Sequence, residues 1–145
     1  MKQEFLVNGP VTAGLISEYI SALGERDDTG GHSIFLGQVR GDIMENKKVV
    51  AIEYSAYEDM VATQAKEIIK VTVNAFNDIK KVVIIHSTGT VRVGELSLLI
   101  LVASGHRDQA TRACRHILEM IKADYPVWKK EIFEDDTHRW KENKK

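Results

Sequence analysis

Pro126 divides the most informative stretch of the chain, I-K-A-D-Y-P-V-W-K-K-E over residues 121–131. Its ring removes a backbone donor, cannot continue a helix, and biases Tyr125 toward an extended conformation. Upstream, Ala110, Ala113, Cys114, Ile117 and Ile121 recur at helical spacing, which predicts an amphipathic helix beginning near Gly105 with one buried face. Downstream, Val127, Lys129 and Glu131 alternate with Trp128, Lys130 and Ile132, the period of a strand. Lys122 therefore falls in the last helical turn and Lys129 just past the break. Arg107 and Arg115 add two more cations around the same helix. A solvated basic face is the plainer reading of the charge alone. The apolar setting of Ile121, Tyr125, Pro126 and Trp128 is what favours a site.

The rest of the sequence narrows the class. A chain of 145 residues, 43% hydrophobic and 28% charged, suits one soluble globular domain over residues 1–145, able to bury roughly 70% of its unfolded surface. A formal net charge of −1 argues against general binding to nucleic acid or to an anionic membrane. The single cysteine, Cys114, excludes a disulfide framework within the chain and fits a reducing cytosol. It lies on the apolar helix face, so core packing is its expected role. No signal-peptide pattern or bilayer-length apolar run is evident, so a cytoplasmic location is expected.

In chain order, Glu4 to Val7 reads as a short strand, closed by Asn8-Gly9-Pro10. Leu15, Ile16, Tyr19, Ile20 and Leu23 mark a helix face, with Thr12 as its N-cap. His32 to Arg40 reads as a strand with mixed faces, suited to packing on both sides. Gly41 to Lys48 is polar and reads as a mobile loop. After a strand at Val49 to Ala56, a helical face comprises Tyr57, Met60, Val61, Ala65, Ile68, Ile69, Thr72, Val73 and Phe76. Strands at Lys81 to His86 and Leu96 to Ser104 are joined by Ser87 to Glu95, whose glycines at 89 and 94 permit tight backbone. The order β-α-β-β-α-β-β-α-β, with hairpin-like connections in three places, predicts an α+β fold with a largely antiparallel sheet and three main helices.

Several chemistries lack their signatures. There is no C-x-x-C, H-E-x-x-H or helical histidine pair for zinc. Phosphate-cradling glycine loops and a G-x-S-x-G elbow are absent too. What remains is cations at element ends. Arg40 closes a strand before the polar loop, and His106 and Arg107 open a helix directly after an apolar strand. Backbone N–H groups at such a start favour an anion, and a guanidinium adds bidentate pairing to phosphate or carboxylate. The plainer reading is that Arg107 pairs with Asp108 and His106 merely caps; spacing does not choose between them. Lys122 and Lys129 are the candidates for chemistry, because apolar surroundings or a second cation lower a lysine pKa from its ordinary ~10.4 into a usable range.

These residues carry a resemblance. F-L-G-Q-V-R (35–40), I-E-Y-S-A-Y-E-D-M (52–60), S-G-H-R (104–107), I-K-A-D-Y-P-V-W-K-K-E (121–131) and R-W (139–140) follow one another as in the large, catalytic subunits of molybdopterin synthase. The match covers nearly the whole chain in order, and its P-x-W-K-[KR]-E segment is the most specific part. The resemblance implies an α/β-hammerhead fold and a homodimer core of a heterotetramer, with a small ubiquitin-like subunit at each end. That subunit would carry a thiocarboxylate on its C-terminal glycine and deliver sulfur to a cyclic pyranopterin monophosphate (precursor Z). By the same resemblance Lys122, Lys129 and Arg40 match the catalytic residues. His106, Arg107 and Phe35 match the substrate-binding ones, His106 and Arg107 reaching the site from the neighbouring large subunit. No cofactor or metal is implied.

The chain departs from the family pattern in two places. His86-Ser87-Thr88-Gly89 lacks the arginine common after the fifth strand, and Asp135-Asp136-Thr137-His138 lacks the glycine common before the final tryptophan. The alternatives weighed beside a sulfurtransferase are a non-catalytic phosphate-ligand binding module and a purely structural dimerisation subunit.

Overall fold

The computed structural model describes residues 5–141. Its elements are β1 (Leu6–Asn8), α1 (Ala13–Leu23), β2 (Gly31–Gln38), β3 (Ile43–Met44), β4 (Lys47–Ala56), α2 (Glu58–Ala75), β5 (Ile79–Arg92), β6 (Leu96–Ser104), α3 (Arg107–Asp124), β7 (Val127–Phe133) and β8 (His138–Lys141). The strands form one sheet in the order β2-β6-β5-β4-β7-β8, with β1 beside β5 and β3 beside β4. Every pairing is antiparallel except β1 with β5. This is the α+β arrangement of three helices on a mostly antiparallel sheet that the sequence predicts.

The apolar runs of β5 and β6 are explained by burial on both faces. Val82, Ile84, Leu98, Ile100 and Val102 face α2 and α3. Val83, Ile85, Leu99, Leu101 and Ala103 face the other way, toward Val11, Leu15, Ile16 and Leu23 around α1. The α3 stripe holds as read: Ala110, Ala113, Cys114, Ile117 and Ile121 are all buried. Thr12 caps α1, accepting a hydrogen bond from the Leu15 N–H at 3.2 Å.

Several expectations are corrected. β2 is not packed on both sides. It is the outermost strand, and its exposed face of His32, Ile34, Leu36 and Gln38 alternates with residues that meet α3, because α1 covers β5 and β6 instead. On α2, Tyr57, Met60 and Val73 are exposed; only Val61, Ala65, Ile68 and Thr72 reach full burial, a narrower stripe than the periodicity suggests. The polar segment 41–48 is not a loose loop but a hairpin, Ile43–Met44 against Lys47–Lys48. Glu45 (φ 52°) and Asn46 (φ 66°) supply the two left-handed residues that such a two-residue turn needs. Backbone geometry orders it without any core contact from Ile43, which is 72% exposed.

Residues 87–92 are not a connection either. β5 runs on through them, bending at Gly89 (φ +77°), where a Cβ would come within 2.5 Å of Asn8 Oδ1. Its first part pairs with β6, and Gly89 to Arg92 pairs with β4. The first strand is Leu6–Asn8, with Glu4 outside the described residues. β8 is an additional strand, reached by a turn in which Asp136 (φ 69°) takes the left-handed conformation and Asp135 Oδ1 accepts from Thr137 N–H at 3.1 Å. Among the described residues no helix is long and apolar enough to cross a membrane.

Because Ile117 is fully buried under the sheet, Ile117→Ala should cost about 2–5 kcal/mol of stability. Urea unfolding reads this directly, and a loss below about 1 kcal/mol would mean that α3 is not pinned as described.

Candidate active site

The last turn of α3, the end of β2 and the β4-β7-β8 half of the sheet enclose a cleft of about 440 Å³. Pro126 sets its shape. Helix α3 stops at Asp124, Tyr125 turns extended with its N–H still bonded to the Ile121 carbonyl, and β7 starts at Val127. Lys122 and Lys129 are thereby aimed into one space from two different elements. Phe35 and Arg40 line it from the other side.

Lys129 is half-buried. Burial holds its pKa below the ordinary lysine value, with Lys122 and then Lys141 pushing the same way and Glu131 opposing. Lys122 is the more exposed of the pair. Arg40 is held by Asp42, with Nε and Nη2 donating to its two oxygens at 2.8 and 3.3 Å. The guanidinium is otherwise largely open to solvent.

His106 and Arg107 do not join this cleft. They sit at the opposite end of α3, about 22 Å from Lys122 at 1.5 Å per residue. The free anion site expected at the helix start is also filled from within. The Asp78 carboxylate accepts the His106 backbone N–H at 2.8 Å and lies 3.3 Å from its Nδ1. Ser104 Oγ accepts from the Ala110 N–H at 3.1 Å and donates to the His106 carbonyl. The simple pairing of Arg107 with Asp108 is not found; Asp108 is bound to Arg112 at 3.0 Å. Arg115 pairs with Glu119 at 2.8 Å, away from the cleft.

Sequence reasoning missed part of the wall. Tyr54 donates to Ser97 Oγ at 3.0 Å, deep in the cleft. His86 is buried at the base, edge-on to Tyr54 with ring centroids 5.1 Å apart. Its Nδ1 lies 2.8 Å from the Ser87 carbonyl, which fixes the proton on that nitrogen in the neutral ring. Burial lowers its pKa to about 4, and the Lys129 charge adds to this against the Ser87 bond. The Tyr125 hydroxyl is buried without a partner among the described residues, and burial raises its pKa. Glu131, 2% exposed, binds Arg139 at 3.0 Å. The alternation of β7 already placed Glu131 beside Lys129. Nothing local in the sequence marks His86, Ser97 or Lys141.

The cleft is therefore a cationic constellation of side chains built on a mostly antiparallel sheet. Residues 11–124 match the family model described as MoaE protein. The chain belongs to the MoaE family. The molybdopterin synthase catalytic subunit of Dictyostelium discoideum is 41% identical over 119 residues, which span 81% of this chain and 75% of that one. Molybdopterin synthase from Staphylococcus aureus superposes with a TM-score of 0.84 at 30% identity, covering 98% of both chains. A protein–protein complex of subunits 1 and 2 of the molybdopterin-converting factor from Helicobacter pylori shares the fold, with TM-score 0.81, 18% identity and coverage of 97% and 90%. MoaE membership makes the chain an enzyme component of molybdenum cofactor biosynthesis, in the role of the molybdopterin synthase catalytic subunit. The hammerhead fold implied by resemblance agrees with these structures, and the non-catalytic alternatives fall away.

In this MoaE-family chain His86 sets a pH limit. Folded, it titrates near 4; unfolded, near 6.5. Above 6.5 both states are neutral, and below it the unfolded state binds the proton first, so stability drops as pH falls from 6.5 toward 4. The full cost is roughly 3 kcal/mol. Urea unfolding between pH 7 and pH 4 should show a smaller loss for His86→Phe than for the wild type. Equal losses would mean that the ring is not held neutral.

Proposed function

We propose that this cleft transfers sulfur from the C-terminal thiocarboxylate of a small ubiquitin-like subunit to a cyclic pyranopterin monophosphate. The observation that carries the reading is the convergence of Lys122 and Lys129 with Arg40 and Phe35 in one cleft. Both reactants are anionic there: the phosphate of the pterin and the thiocarboxylate of the tail. Each transfer breaks the C–S bond of the acyl group, leaves its carbon carrying an oxygen from water, and makes a C–S bond on the pterin in place of a C–O bond, whose oxygen leaves as water or stays on the phosphate. Two transfers produce a dithiolene.

Lys122, at the open end of the helix, stands closest to the transfer, as proton donor and acceptor or as the amine that attacks the acyl carbon. Lys129 and Arg40 stabilise negative charge as it develops in a partly dehydrated site. The lowered pKa of Lys129 also makes it a readier proton donor than an exposed lysine. Arg40 is available once the substrate competes with Asp42 for its fork. Phe35, half-buried in the wall, gives the pterin an apolar surface.

His106 and Arg107 complete the site from a second copy of the chain, where they hold the phosphate. Their distance from Lys122 within one chain, and the exposure of the His106 ring, support this arrangement. We infer a homodimer core with one small subunit at each end; the two-subunit complex from Helicobacter pylori supports a partner of this kind. The chain acts as a single domain, and its one cysteine, buried and free, suits the cytoplasm.

The test is reconstitution with a thiocarboxylated partner and the pterin substrate. Lys122→Ala should lower dithiolene formation at least about a hundredfold while gel filtration still shows the complex. Near-normal turnover by that variant would remove Lys122 from the chemistry. No product from folded wild type would remove the sulfur-transfer reading itself.

A further inference from the structure

Of the four cross-strand pairs between β7 and β8, one opposes like charges. Glu131 faces Arg139 and binds it at 3.0 Å. Lys130 faces Trp140, its ammonium 5.5 Å from the ring centroid, and also binds Glu53 on β4 at 2.8 Å. Lys129 faces Lys141. Directly opposed side chains lie about 4.5–5.5 Å apart at Cβ, and like charges there are destabilising. Both lysines are partly buried and both line the cleft, where the repulsion is poorly screened.

The charges of the cleft offset this repulsion only in part, with Glu131 acting against it at Lys129. Asp42 is engaged by Arg40 and Glu131 by Arg139. Among the described residues, Lys122, Lys129 and Lys141 have no carboxylate partner. A sheet that opposes two lysines over a cavity, beside a third, is organised to receive an anion. The position of Lys141 selects which one. β8 ends the sheet, and its outer edge is unpaired among the described residues. An extended polypeptide can lie along such an edge and place its terminus at the strand's end. Lys122, Arg40 and Phe35 come instead from the helix and β2 side of the cleft.

We propose that Lys141 is a binding residue for the anionic C-terminus of the incoming tail, completing a three-lysine receptor with Lys122 and Lys129. The proposal rests on the sulfur-transfer reading for the identity of the tail. The contact relieves the Lys129–Lys141 repulsion only when the partner is seated, so the empty site is less stable than the occupied one. The lowered pKa of Lys129, to which Lys141 contributes, is consistent with this geometry.

The experiment is a binding cycle that needs no turnover. The small subunit in its carboxylate form, and a version lacking its last two residues, are titrated calorimetrically into wild type, Lys141→Met and Lys141→Arg. Lys141→Met should weaken the full-length partner about tenfold and leave the truncated one unchanged. Lys141→Arg, which keeps the charge, should stay within about threefold of wild type. The empty Lys141→Met protein should melt about 1–3 °C higher, as removal of an opposed like charge requires. The proposal is overturned by equal weakening of both partner forms, by no weakening of either, or by a wild type that does not distinguish them. A rise in KM for the pterin with unchanged partner affinity also overturns it. Absence of dithiolene from wild type in the separate turnover assay would condemn the sulfur-transfer reading, and the binding cycle would still judge Lys141.

Discussion

Ile84 and Ile85 are neighbours in sequence and face opposite layers, as do Leu99 and Ile100 on the strand beside them. This back-to-back burial of β5 on β6 is the contact on which the other elements lean. Each fully buried side chain of this size contributes about 1.5–3 kcal/mol of transfer free energy. Side chains on both faces of one strand pair also fix its register, because a slip of one residue would exchange the two layers. Helix α3 then has one available seat, against β2 and β6. Its apolar stripe ends at Ile121, one residue before Lys122. The position of the catalytic candidate thus follows from packing set some distance away.

The cleft is built against the preferences of a stable fold. A neutral buried imidazole, and a buried hydroxyl and three lysines unmatched among the described residues, share its wall. Each is a departure from charge pairing or hydrogen-bond satisfaction of the kind that concentrates at functional sites. The pairs beside them, Glu131–Arg139, Lys130–Glu53 and Arg40–Asp42, show that most neighbouring charges here are neutralised. The mismatch is therefore local, and it coincides with the cavity.

What the sequence made legible followed from short-range rules. The α3 stripe, the Thr12 cap and the break at Pro126 each depend on residues within a few positions, and from them Lys122 and Lys129 could be placed at one corner. Phe35 and Arg40 entered through the family resemblance and the strand end, and the structure brings them to that corner. His86, Ser97 and Lys141 were not legible, because they reach the cleft through pairings between distant strands. The β3–β4 hairpin was hidden because its turn uses Glu45 and Asn46 rather than a glycine. β2 was misjudged because its alternation on both faces does not reveal that one face is left open. The separation of His106 and Arg107 from Lys122 was already part of the resemblance, which brings them from a neighbouring subunit, and the length of the helix between them accounts for it.

The bend at Gly89 has a mechanical meaning for the site. On one side of it, β5 belongs to the frame of β6 and β1; on the other, it belongs to the frame of β4, which carries β7 and β8. Phe35, Ser97, His86 and Lys122 ride on the first frame, whereas Tyr54, Lys129, Glu131 and Lys141 ride on the second. The cleft is the seam between two plates joined by a continuous strand. The gap between Lys122 and Lys129 thus spans the point where β5 changes partners, and a side chain at position 89 would collide there with Asn8 Oδ1, remote from both lysines.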